Sequence, residues 1–455
     1  MSSENRTSVP NSLNEHWMPF TSNKGFKANP RLITEAKGVY LKTHHGKTQI
    51  DGSSGLFCNP LGHGRREITE AVTKQLEKLD YVQPFQQGFG GSFELATRIS
   101  KHTPGDLNKI FYTNCGSTAV ETAIKIAIAY HRAKGDGKRF RFIGRERAYH
   151  GMNIGATSVG GMIHNVKTFA SVLMPGVLHM RHTHLPEHKF VSGQPETGAE
   201  LANDLERICE NFGGENIAAC IVEPVAGSTG CLVPPKGYLQ KLREICDKHG
   251  ILLIFDEVIC GWGRMGSVFA SQEFGVVPDM MVLSKATTNG VVPMGVVACK
   301  EEMYDAVMDA APMGTVELFH GYTYSGHPTC MAAGIANLEL MKETNILHQV
   351  QSHTAPYLAS KWKALEEHPL VGEARCLGMF ASLEIVEDKN NYKRFENSKE
   401  VVTRCKDYCY DNGLVMRPIV NKMVIAPPLI CSNDHIDEII EKVWKCLDLT
   451  AQSIK

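Results

Sequence analysis

Two short apolar runs, residues 251–255 (ILLIF) and 280–283 (MMVL), constrain this chain more tightly than any other feature. Runs of four or five apolar residues have the length of strands buried on both faces of a parallel sheet. Each leads into an ionisable residue, Asp256 and Lys285. In open α/β sheets ligands gather beyond the carboxyl ends of the strands, so an acid and an amine at two such ends point to one shared site. The flanking text supports the same architecture. Residues 201–212 and 238–249 carry helical periodicity, and the second stretch ends in basic residues and Gly250. Residues 218–222 form a buried strand that runs into Glu223 and Pro224, which gives the repeated βαβ units of a mostly parallel sheet.

A lysine on an apolar strand must be desolvated without an obvious partner. Pyridoxal phosphate (PLP) removes that difficulty by joining the lysine as an imine, and it needs an acid at its ring nitrogen. Asp256 and Lys285 supply both parts. Taken alone, a surface-loop lysine and a turn-capping aspartate explain the pair equally well. The wider text tips the balance: FDEVICGWGRMG, a spacer, then DMMVLSKATTNG resembles the signature of class III, fold type I PLP-dependent aminotransferases. The resemblance runs over residues 16–428. The stretches HWMPFT, PPKGYLQKLREICDKHGILLIFDEV and LFHGYTYSGHP narrow it to the omega-amino acid:pyruvate (beta-alanine:pyruvate) type. It implies a mostly parallel large-domain sheet flanked by helices, with a smaller α+β domain built from both chain ends. The expected division is 1–60, 61–328 and 329–455.

The resemblance also assigns roles to residues whose local text is ambiguous. Strand 109–113, turn 114–117 and a helix bearing Val120, Ala123, Ile124, Ala127 and Ile128 on one face would aim free N–H groups at Gly116 and Ser117 towards an anion. By itself such a turn merely caps a helix. The family turn is usually Ser-Gly-Ser-Glu, whereas here Cys115 and Thr118 flank the central pair. Family likeness places Tyr149, in RERAYHG, flat on the PLP ring with Val258 on the other face, and has Glu223 support the cofactor's surroundings. It extends Thr323 to the phosphate in the other subunit, although a threonine there could simply cap the helix starting near Pro328.

Leu56 and Phe57 lie between glycines in DGSSGLFCNPLGHG and either plug a core or line a cleft. The family favours the cleft, and relatives often carry Trp at the position of Phe57, which implies a roomier pocket. Phe20 would join the pocket wall and Phe85 would come from the other subunit. Arg417, in GLVMRP, is a surface residue by default, but it matches the arginine that forks a substrate carboxylate. The implied reaction moves an amino group from an omega-amino acid or primary amine to pyruvate, in a homodimer or dimer of dimers. Competing readings are a PLP-dependent aminomutase, racemase or decarboxylase of the same fold, and a non-catalytic α/β scaffold.

Composition removes other classes. A chain of 455 residues exceeds the usual single core, so two domains are expected. With 48 basic and 49 acidic residues, nucleic acid or an anionic membrane is not the expected partner. No apolar stretch has the length of a membrane span, and residues 1–15 lack the apolar segment of a signal peptide. Fourteen cysteines scattered singly suit reduced, buried thiols and a cytoplasmic location. Cys405 and Cys409 have no companion pair for zinc. His179, His182, His184 and His188 lie in irregular text and are expected to be surface histidines in a long loop, with no metal site. No G-x-G-x-x-G follows an early strand, which disfavours a nicotinamide dehydrogenase.

Overall fold

The computed structural model describes residues 12–188 and 193–454. Residues 1–11 of the polar stretch 1–15 lie outside this range. A seven-stranded sheet forms the centre, with strands side by side in the order Lys109–Thr113, Gly295–Cys299, Met280–Leu283, Leu252–Asp256, Ile217–Val222, Arg141–Arg145 and Val177–Met180. The four strands from Gly295–Cys299 to Ile217–Val222 are buried at every position.

Alternation sends successive side chains to opposite faces. Ile254 and Val282 pack with Ala119, Ala123 and Ala127 of helix Gly116–Ala133. Leu253, Phe255 and Met281 pack on the other face with Leu239 and Leu242 of helix Tyr238–His249. This two-sided burial explains why the strands read as unbroken apolar runs.

Gly295–Cys299 runs antiparallel to both neighbours. Its link from Leu283 contains only the short turn Lys285–Thr288 and no crossover helix, so the chain must reverse. The expected helix over residues 201–212 begins as the 3-10 turn Ala199–Ala202 and becomes α-helical at Asn203–Phe212.

Two four-stranded sheets complete the molecule. Ile33–Lys37, Tyr40–Thr43 and Thr48–Asp51 form an antiparallel ribbon, and Leu414–Val415 pairs parallel to its last strand. Gly38, with φ +59°, makes the turn between the first two of these strands. The third sheet orders Val371–Leu377, Phe380–Ile385, Lys422–Ile425 and Arg417–Ile419. Helices Ser398–Asp411 and Asn433–Ser453 pack together beside these small sheets. Among the described residues no helix is long and apolar enough to cross a membrane, and all fourteen cysteines are free thiols.

The histidine stretch corrects the expectation of a surface loop. His179 lies on the edge strand Val177–Met180, and its Nε2 is 2.8 Å from the Gly160 carbonyl. His184 is largely buried, with Nε2 3.3 Å from Glu384 Oε2 and 3.2 Å from Arg375 Nη1. Their partners come from distant parts of the chain, which local text does not reveal. The side chain of His188 lies outside the described residues. His184, Glu373 and Glu384 converge closely enough to suggest a cation. Arg375 Nη1 is already 2.6 Å from Glu373 Oε2 and 3.4 Å from Glu384 Oε2, so a guanidinium supplies the positive charge there.

Candidate active site

A cavity of about 240 Å³ opens beyond the carboxyl ends of Leu252–Asp256 and Met280–Leu283. Asp256 pairs in register with Val282, which fixes the spacing between the two catalytic strands. Lys285, Asp256, Gly116, Ser117, Tyr149, Glu223, Val258 and Leu56 all line this cavity.

Lys285 begins its turn with φ +44°, a left-handed conformation that costs a side-chain-bearing residue about 1–3 kcal/mol. The surroundings hold it there. Ser284 Oγ donates to the Met294 carbonyl at 2.6 Å, Trp262 Nε1 donates to Thr287 Oγ1 at 3.0 Å, and Asn337 Nδ2 donates to the Ala286 carbonyl at 2.9 Å. The Lys285 amine has no hydrogen bond or ion pair among the described residues. Burial lowers its pKa below the ordinary lysine value; the negative charges of Asp256 and Glu223 oppose that shift and Arg417 adds to it. The amine is therefore easier to deprotonate than a free lysine.

Asp256 is aimed by two donors. His150 Nδ1 lies 2.8 Å from Oδ2, and the Val258 N–H donates to Oδ1 at 3.1 Å. His150 was not anticipated from sequence: the available signal was a histidine beside Tyr149, but its partner lies a hundred residues away. The ring is fully buried, and Nε2 has no partner among the described residues. Glu223 accepts the Tyr149 N–H at 2.9 Å and the Gly227 N–H at 2.8 Å. Burial raises its pKa, the neighbouring charge of Asp256 adds to the shift, and His150 opposes it. Its two hydrogen bonds hold the backbone that presents Tyr149.

The 18-residue helix Gly116–Ala133 starts at the cavity. Thr118 Oγ1 accepts the Cys115 N–H at 2.9 Å, so threonine performs the reciprocal cap that the family's glutamate would make. Ser117 Oγ accepts the Met152 N–H at 3.1 Å. The first amides of the helix have no intrahelical acceptors, and the helix dipole favours negative charge at this end of the cavity. The approach is tight: a Cβ on Gly116 would lie 3.2 Å from both Val258 methyls. One on Gly151, whose φ is +114°, would lie 2.4 Å from Ser117 Oγ.

Phe57 does not face the cavity as Leu56 does. It is buried, with φ +62°, and its ring centroid lies 5.6 Å from Lys285 Nζ and 5.7 Å from Arg417 Cζ. Arg417 opens strand Arg417–Ile419; burial lowers its pKa, opposed by Tyr149. Phe57 and Arg417 adjoin the cavity without lining it, and three further expected residues stand away from it. Phe20 is 75% exposed, and Phe85 lines a separate cavity of about 270 Å³ with His320 and Gly321. Thr323 is exposed, and its carbonyl accepts the Tyr81 hydroxyl at 3.1 Å. The alternative role for Thr323 as a helix cap fails, because His327 caps Pro328–Glu343 by accepting the Thr329 N–H.

An unpartnered amine, an oriented carboxylate, an aromatic and an apolar wall, and an anion cradle together match the functional groups of PLP. A class of enzyme follows from that match: a PLP-dependent transferase of the fold type I kind. The family Aminotransferase class-III matches residues 21–447, and the chain belongs to it.

Known relatives agree. The chain is 46% identical to an omega-aminotransferase of Caulobacter vibrioides over 438 residues, 96% of this chain and 98% of that protein. It is 45% identical to a beta-alanine–pyruvate aminotransferase of Pseudomonas aeruginosa over 375 residues, 82% of this chain and 83% of the relative. The solved omega transaminase from Pseudomonas jessenii in complex with PMP superposes with a TM-score of 0.91 at 31% identity, covering 96% of each chain.

Proposed function

We propose that this aminotransferase moves an amino group from an omega-amino acid or primary amine to pyruvate, giving an aldehyde or keto product and alanine. The observation that carries this reading is the position of Arg417 beside Phe57, which also neighbours the Lys285 amine. One pocket thereby offers a planar fork for an acceptor's carboxylate and an apolar side for a donor that lacks one. The activities named for the Caulobacter and Pseudomonas relatives support the same chemistry.

Bound PLP supplies an aromatic ring that takes up the electron pair left when a donor's C–H bond ionises. The protein's share is positioning and proton handling. Lys285 Nζ would anchor the cofactor and is the group placed to accept and return the donor's carbon-bound proton. Asp256, aimed by His150 and the Val258 amide, keeps a proton on the ring nitrogen. Tyr149 and Val258, which line the cavity with Gly116 and Ser117, would flank the ring, and the Gly116 and Ser117 amides would hold the phosphate. Leu56 lines the apolar side, Phe57 backs it from beside Lys285 and Arg417, and Phe20, exposed in the single chain, is assigned to the pocket wall by family likeness alone.

Phe85 and Thr323, outside their own chain's cavity, serve the partner's site in a homodimer or a dimer of dimers. Residues 1–60 and 329–455 form the small domain around a 61–328 cofactor domain. The protein works in the cytoplasm, without nucleic acid or membrane partners.

Single half-reactions test the pocket. Arg417→Ala is expected to slow the pyruvate half-reaction by about 10–100-fold, the loss of a hydrogen-bonded charge pair. An uncharged amine donor should change by less than about threefold, since it makes no such bond. Equal loss in both half-reactions rejects the carboxylate assignment.

A further inference from the structure

The wall that carries Leu56 and Phe57 is an unusual piece of backbone. Ser54 has φ +46° and Phe57 φ +62°, so two side-chain-bearing residues within four positions occupy the left-handed region. Such a loop keeps one shape only if its surroundings over-determine it.

The structure supplies that constraint from two sides. Asp51 is fully buried, and its carboxylate accepts the Ser53 N–H at 3.0 Å, the Gly55 N–H at 2.7 Å and, through Oδ2, His63 Nε2 at 2.7 Å. His63 is itself pinned: its N–H donates to the Gly38 carbonyl at 2.8 Å, and its own carbonyl accepts the Gly38 N–H at 2.9 Å. On the other side stands Asn289, which follows the Lys285–Thr288 turn and is almost fully buried. Its Oδ1 accepts the Leu61 N–H at 2.9 Å and its Nδ2 donates to the Gly62 carbonyl at 2.9 Å. Its carbonyl accepts Asn59 Nδ2 at 2.7 Å. The loop is therefore clasped at its start by a carboxylate and a histidine, and its far end is sewn to the turn that carries the lysine.

We infer that Asp51 and His63 are positioning residues for donor selection: through the Ser53 and Gly55 amides they fix where Phe57 stands relative to Lys285 and Arg417. Neither touches the reacting atoms; each acts through the loop. An aspartate suits the task because an ionised carboxylate is acceptor-only and can take three donors at once. Asparagine cannot, since its amide nitrogen would meet a donor N–H head on.

The inference rests on the reading of Phe57 as part of the substrate pocket, and the experiment separates the two. With PLP-loaded enzyme and pyruvate as fixed acceptor, kcat/KM is measured for beta-alanine and for propylamine, and their ratio is compared across variants. Phe57→Ala tests the pocket reading and should move the ratio. Asp51→Asn and His63→Leu should also move it, on the order of tenfold, the scale of a small misplacement in a reacting geometry. His63→Gln, which still reaches Asp51 with an N–H, should restore the wild-type ratio.

Hydrogen–deuterium exchange over residues 53–58 should rise in Asp51→Asn and His63→Leu, and it reads the clasp without any turnover. If Asp51→Asn fails to fold, His63→Leu carries the test, since that side chain is partly exposed. A ratio that moves in Phe57→Ala but not in His63→Leu overturns the inference and leaves the pocket reading standing. So does an equal loss for both donors, or loop protection equal to wild type. A ratio unmoved in Phe57→Ala removes the pocket reading, and the inference falls with it.

Discussion

Two lysines in this protein sit under similar pressure and meet different fates. Lys285 faces the cavity, and burial lowers its proton affinity there. Lys422 is 5% exposed, and its side-chain amine has no ion pair or hydrogen bond among the described residues. Burial pushes its pKa down to about 7; Glu384 resists the shift, and Arg375, Arg147 and Arg394 reinforce it. Between pH 7 and the ordinary lysine value, the unfolded chain holds a proton that the folded chain has shed. Stability from this group therefore rises with pH across that window, by at most about 1.4 kcal/mol per pH unit. Denaturant melts at pH 7 and pH 9 should show wild type gaining more over Lys422→Met at the higher pH. A constant difference would mean that Lys422 is ordinarily solvated. Sequence made Lys285 and Asp256 legible because each closes an apolar run. Nothing in the text NKMV distinguishes Lys422, and His150 is significant only because folding brings Asp256 to it.

At the level of elements, local text was a good guide wherever burial is two-sided. Strands Ile217–Val222 and Met280–Leu283 and helix Tyr238–His249 lie where their apolar pattern puts them. Direction was hidden: the pattern of Gly295–Cys299 is identical for either orientation, and only the missing crossover helix reverses it. The cradle shows a different limit. Cys115 and Thr118 depart from the family turn, yet the Thr118 hydroxyl still ties down the Cys115 amide, so the geometry survives a change of residue type. The weak point is instead the close approach of Gly151 to Ser117. Gly151→Ala is expected to displace Ser117 and weaken PLP binding by about 1–3 kcal/mol, the scale of local backbone strain. Fluorescence titration of the apo-protein with PLP measures this, and unchanged affinity would relocate the phosphate.

For the whole molecule, the exposed surface is the informative part. Phe93 is 71% exposed, Phe319 89% and Tyr324 58%, and they accompany Phe85 and Thr323 in sequence or in space. Large apolar side chains grouped in this way mark a contact face. Light scattering should give at least twice the 50.2 kDa chain mass. A monomer with full turnover would end the assignment of Phe85 and Thr323 to a partner's site. The partner assignment comes from family likeness alone, because no local pattern says which exposed aromatic will be covered.

The pairing of Leu414–Val415 with Thr48–Asp51 also dictates a schedule. A ribosome making this protein releases the early ribbon long before the strand that completes it, and must translate nearly the whole message before supplying it. Until then the ribbon keeps an open hydrogen-bonding edge, the kind that attracts other chains. Completion of this four-stranded sheet is thus a late event in synthesis, and premature termination upstream of residue 414 would leave a sticky nascent product rather than a shortened enzyme.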